Sequence, residues 1–201
     1  MIDMILPLTT FAFAASITPG PNNLMLMASG ANFGWRGTLP HMMGVVGGFA
    51  LMTAIVGAGL LQVLELFPQA LLWLKVVCGA FVLYLAWKIA TAAPLGEGGS
   101  AHSRPLRFIE AAAFQWVNPK AIVMSLTTVT TYASDKTLTD IALVVLVFVS
   151  VNLPCVATWV LIGQQLRTWL QNPTRLRMFN CTMALLLIAS MVPALGNLRS
   201  V

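Results

Sequence analysis

Two short runs carry most of the polar chemistry of this chain: Thr18-Pro19-Gly20-Pro21-Asn22-Asn23 and, about 100 residues later, Gln115-Trp116-Val117-Asn118-Pro119-Lys120. In both, proline sits beside amide side chains inside apolar sequence. An interior proline withholds a backbone donor and clashes with the preceding turn. Glycine between two prolines argues further against unbroken helix. The freed carbonyls and amides then need partners in protein or water, because lipid offers none. Asn22, Asn23, Gln115 and Asn118 bring donors and acceptors to the same depth. Half-helix ends of opposite partial charge, with amides around them, suit a zwitterion. The alternative is a pair of proline kinks that only shape packing.

Lys120 is the most informative charge. It lies about 14 residues into its apolar segment, roughly 20 Å along a helix. A lysine at mid-bilayer costs about 2.5–3.5 kcal/mol on insertion scales, so it should face a cavity or a partner. Two kinds of role stay open: a structural ion bonded to broken-helix carbonyls, or a functional group that contacts a substrate carboxylate or serves proton coupling. Asn152, beside Pro154, is a further candidate pathway residue in a fifth segment that these two residues should interrupt. Gly44, Gly47 and Gly48, followed by Ala50, Ala54 and Ala58, form a small-residue face suited to close helix packing.

Six segments are long and apolar enough to be the elements that position these groups: about 4–28, 40–64, 70–92, 106–133, 138–163 and 176–197. The chain of 201 residues is 58% hydrophobic and 8% charged, with a mean hydropathy of +0.85. A soluble domain carries about a quarter charged residues, so this surface must mostly face lipid. The expected fold is an all-α integral membrane protein of six transmembrane helices, the first and fourth broken. A Gly/Ser-rich linker over 93–105 divides a single membrane domain into halves of about 1–92 and 106–201. An odd number of spans per half makes the halves enter from opposite sides, the 3+3 inverted repeat common among secondary transporters.

The net charge of +5 does not form one basic stripe, so orientation explains it better than nucleic acid does. Arg36, Lys88, Arg104, Arg107, Arg167, Arg175 and Arg177 fall in or beside the odd loops; Lys136 and Arg199 fall elsewhere. By the positive-inside rule both termini are periplasmic. Ala12-Phe13-Ala14 resembles a signal-peptidase site, but no basic region precedes it, so the first segment is expected to stay as a mature helix. Cys78, Cys155 and Cys181 have no metal-ligand spacing and read as small buried thiols. His41 and His102 fall at expected interfaces and need no special role. Trp35, Trp73, Trp87 and Trp169 lie near helix ends, as aromatic anchors do. Phosphate-loop, zinc-protease and serine-hydrolase motifs are absent, which argues against an enzyme. No cofactor or metal is expected.

The two runs, with Asn118-Pro119-Lys120-Ala121 and Leu85-Ala86-Trp87-Lys88, resemble the LysE/RhtB family of amino-acid exporters. Length and the six-helix layout fit, so the resemblance covers the whole chain, which looks nearest to the branch that exports cysteine and O-acetylserine-like compounds. It implies efflux of amino acids or derivatives across a bacterial inner membrane, driven by the proton-motive force, with Pro19 to Asn23 and Gln115 to Lys120 lining the pathway. The partners are then the substrate, protons and the bilayer; a homo-oligomer stays open. A non-transporting membrane scaffold is the competing reading of the same residues.

Overall fold

The structure, a computed structural model, describes residues 2–60, 68–91, 104–133 and 137–197. Among them it is helical throughout, without strands. The elements are α1 (Ile2–Ile17), α2 (Pro21–Ile55) with a π-helical turn at Val56–Leu60, α3 (Pro68–Ala90), α4 (Phe108–Gln115), α5 (Pro119–Tyr132), α6 (Leu138–Leu166), a short 3-10 turn at Trp169–Gln171, and α7 (Pro173–Asn197). Pro21 and Pro119 each open a helix, where a missing N–H costs nothing and the fixed φ suits the first turn. Thr137 caps α6 by accepting from the Asp140 N–H at 3.2 Å.

The α2 segment is a hairpin rather than one rod. Gly34 has φ 72° and ψ −179°, a backbone that only glycine adopts readily. Ser29 and Thr38, nine residues apart, stand 3.1 Å from each other at their hydroxyls, whereas an unbroken helix would separate them by about 13 Å. The limbs 21–33 and 35–55 therefore run back along each other. Met25 and Leu26 on the first accordingly share a core with Met42, Val45 and Val46 on the second.

Close backbone approaches hold this hairpin to its neighbours. A Cβ at Gly163 would collide with the Met27 carbonyl, and one at Gly30 with the Val160 carbonyl, so α6 lies directly against the first limb. On the second limb, Gly44 and Gly48 meet the backbone of α4 at Phe108 and Ala112, while Gly47 faces the Phe108 ring. Small residues permit such contact, where dispersion and packing replace a hydrophobic drive. A second core, of Leu8, Phe49, Val56, Ala133, Ile141 and Phe148, fills the other end, with the Phe49 and Phe148 rings 4.6 Å apart.

Some sequence expectations need correction. Helix occupies much of the loop predicted over 34–37, because one residue of positive φ suffices to reverse the chain. α6 runs unbroken through Asn152 and Pro154 from Leu138 to Leu166. A single proline costs one ladder bond, and packing against α1 and α2 holds the helix on both sides of it. Cys181 is exposed on the outer surface while Cys155 is buried. Most of the 93–105 linker, with His102, and the 198–201 terminus lie outside the described residues.

Candidate functional site

The first break, residues 18–20, ends α1 with carbonyls that have no partner in their own helix. Each is met from elsewhere. Thr18 Oγ1 donates to the Ala15 carbonyl at 3.1 Å. Asn23 Nδ2 donates to the Ser16 and Thr18 carbonyls at 2.7 and 2.8 Å. Trp159 Nε1, from α6, donates to the Ile17 carbonyl at 3.2 Å. Lys120 Nζ, from α5, donates to the Thr18 carbonyl and Thr18 Oγ1, both at 2.9 Å, with the Pro19 carbonyl at 3.4 Å. A cation at a helix C terminus is also favoured by the helix dipole.

The second break, residues 116–118, closes on itself. The N–H groups of Trp116, Val117 and Asn118 each donate three residues back, to Ala113, Phe114 and Gln115. Asn118 Oδ1 then caps α5 by accepting from the Lys120 N–H at 3.2 Å.

The two breaks touch through reciprocal contacts. Asn22, the residue after Pro21, donates to Gln115 Oε1 at 2.8 Å and accepts from Gln115 Nε2 at 3.2 Å. Lys120, the residue after Pro119, reaches Thr18 in the other break. Gln115 ends α4 and Thr18 follows the end of α1. Each second half-helix thus grips the end of the opposite first half-helix with its second residue.

Between them lies a cavity lined by Ser16, Gly20, Asn22, Asn23, Asn118, Lys120 and Asn152, with Val45 and Phe49 on its apolar side. One end of the Asn152 amide reaches Ser16 Oγ at 2.9 Å; the Oδ1 end is buried without a partner among the described residues. The cavity offers about 20 Å³ to the centre of a water molecule, so it holds a water but not an amino acid. Gly20 is extended, with φ −179°, so its backbone suits any residue. A Cβ there would lie 2.8 Å from Lys120 Cδ, so a side chain at this position would displace the lysine from its present place.

The structure brings together Pro19, Gly20, Pro21, Asn22, Asn23, Gln115, Asn118, Pro119, Lys120 and Asn152 around this cavity and its walls. Gly44 and Gly48 sit elsewhere, at the α4 contact. Sequence reasoning missed Ser16 and Trp159 as partners of the first break. Trp159 lies seven residues from Asn152, two turns along the same helix face, and that register is the signal that could have found it. The burial of His41, only 2% exposed, was also missed.

Comparison with known proteins identifies the family. The profile of the family described as LysE type translocator matches residues 13–192. The chain is 30% identical over 184 residues to a cysteine/O-acetylserine efflux protein of Escherichia coli strain K12, covering 89% of this chain and 91% of that protein. A protein of the same description from Shigella flexneri serotype 5b matches with the same identity and coverage. No solved structure matches. With the family profile spanning both breaks and the apolar helices around them, this chain belongs to the LysE-type translocators and is a transmembrane transporter, not an enzyme.

Proposed function

We propose that this chain exports small amino acids or their derivatives across a bacterial inner membrane, driven by the proton-motive force, and that the paired breaks form its binding site. One observation carries the reading: the Lys120 ammonium is held by the terminal carbonyls of α1 beside a small cavity lined by amide side chains. A zwitterion is complementary to that contact. Its carboxylate takes Lys120 while its ammonium takes the Thr18 and Pro19 carbonyls that Lys120 leaves. Every charge then keeps a partner, which matters because an unpaired buried charge is expensive. The Asn152 amide end without a partner, and the Asn22–Gln115 pair, supply further polar contacts. The names of the relatives, cysteine/O-acetylserine efflux proteins, set the substrate class to test first.

Six spans in two inverted halves, about 1–92 and 106–201 around the 93–105 linker, complete the proposal. The reciprocal contacts at matched positions after Pro21 and Pro119 support it. Both termini are then periplasmic. In support, Gly34, Lys88, Arg104 and Arg167 gather at one end of the bundle, with Phe33 between them. Reporter fusions at Val201 and within residues 96–100 should report opposite sides; a cytoplasmic Val201 would end both the topology and the inverted repeat.

The deciding experiment is efflux of L-cysteine and O-acetylserine from proteoliposomes, with and without an imposed pH gradient. Export that the gradient accelerates and that Lys120→Met abolishes is the expected result. Amino-acid efflux no faster than from empty vesicles would overturn the reading.

A further inference from the structure

A second cavity lies at the basic end of the bundle, offers about 50 Å³, and is lined by Met25, Ser29, Asn32, His41, Lys88 and Arg104 among others. Three features set it apart from ordinary helix packing. Both ring nitrogens of His41 are buried without a hydrogen-bond partner among the described residues, and such groups are rare in native proteins because they cost stability. Lys88 has no ion pair or hydrogen bond among the described residues, whereas Arg104 is paired with Glu110 through both guanidinium nitrogens. That contact holds the Arg104 guanidinium further above its usual range, as a charge already paired with the Glu110 carboxylate. Among the described residues, Lys88 is therefore the cavity's one cation without a contact partner, with only the longer-range attraction of the Glu110 carboxylate. Finally, Thr38 spends its hydroxyl hydrogen on the Gly34 carbonyl at 2.8 Å, so Ser29 must donate to Thr38, and its own oxygen keeps free lone pairs.

Position ties this cavity to the paired breaks. His41, Val45, Phe49 and Thr53 are spaced four apart, which places them on one face of the second α2 limb. His41 lines the basic-end cavity, and Val45 and Phe49 line the cavity at the breaks. The step from His41 to Val45 is roughly 6 Å along the helix. Farther along the same face, Thr53 is buried with its hydroxyl unpartnered among the described residues. One helix face thus runs past both cavities and carries unpartnered polar atoms on either side of the breaks.

We infer that the basic-end cavity is a carboxylate-binding vestibule, in which Lys88 receives the carboxylate of a small amino acid before it passes along the 41–45–49 face to the breaks. His41 and Ser29 supply neutral polar contacts there. The inference rests on the amino-acid reading above and assigns Lys88 a step separate from that of Lys120.

The test uses the full chain in phosphatidylcholine vesicles, with L-cysteine supplied from the side of the basic end. Losing one charge-assisted contact should raise the half-saturating concentration of Lys88→Met about ten- to a hundredfold, with the maximal rate within about twofold of wild type. Lys88→Arg keeps the charge and should stay within about threefold. Lys120→Met should instead lower the maximal rate. Saturation of Lys88→Met like wild type, or a fall only in its maximal rate, would overturn the vestibule. Calorimetric binding of L-cysteine by detergent-purified protein separates this from failure of the export reading. A wild type that binds more tightly than Lys88→Met but moves nothing keeps the vestibule and sinks the exporter. Equal binding by the two sinks the vestibule. Where Lys88→Met does not fold, Lys88→Gln takes its place in both measurements. Vesicles containing phosphatidylglycerol form the last arm: a Lys88 effect seen only there assigns the cavity to a lipid phosphate and overturns the inference.

Discussion

The two helix breaks solve one problem in opposite ways. The break at 116–118 satisfies its backbone locally, with tight i→i−3 bonds at the end of α4 and the Asn118 side chain as the α5 cap. The break at 18–20 depends on side chains from across the molecule: Lys120 on α5, Trp159 on α6 and Asn23 beyond the break. One cause is the motif itself. Pro19 and Pro21 have no N–H to donate, and Gly20 has no side chain to cap with. Asn118 and the N–H groups before it supply both. A self-capped break is a fixed frame that presents Lys120. A break capped by others can exchange its partners, and a zwitterion is such a partner under the proposed function. If the paired breaks are the proposed binding site, residues 18–20 are therefore expected to be its moving part.

That contrast can be broken in several ways. The largest effect should come from Lys120→Met, with efflux down at least about tenfold from the loss of charge-assisted bonds, while membrane expression and monodispersity are retained. Efflux at the wild-type rate would make Lys120 purely structural. Next, Asn23→Ala leaves the Ser16 carbonyl without its donor and should destabilise the detergent-solubilised protein by about 1–3 kcal/mol, read by thermal unfolding. Asn118→Ala removes only a helix cap and should cost about 1 kcal/mol in the same assay. A larger loss for Asn118→Ala than for Asn23→Ala would reverse the assignment of frame and moving part. Trp159→Phe keeps the ring packing and loses the bond to the Ile17 carbonyl. It should cost about 0.5–1.5 kcal/mol, the smallest stability effect, while speeding amide exchange across 18–24 relative to 115–121.

Much of this was legible in the residues. Apolar segments with few charges fix a helical membrane protein, since only helices and closed barrels satisfy their backbones in lipid. Pro19-Gly20-Pro21 and Asn118-Pro119 mark the breaks because proline's ring and missing N–H act locally, whatever surrounds them. Loop charges separate the ends of the bundle for the same reason: charge stays in water. Pro154 was misread because one proline within a long packed helix is a local defect that tertiary contacts absorb. His41 was misread because it lies next to Pro40 and an expected loop, and nothing local reports that neighbouring helices bury it.

The sequence by itself therefore determined the class of protein, the places where its helices fail and the amide and lysine chemistry gathered there. Only the tertiary structure decided which groups meet: Lys120 with Thr18, Asn22 with Gln115, Trp159 with Ile17, and His41 with Lys88 around one cavity. Helix breaks and charge placement follow from neighbours in the chain. Partner choice across about 100 residues follows from helix register and from close approach at Gly30, Gly44, Gly48 and Gly163, which no local pattern encodes.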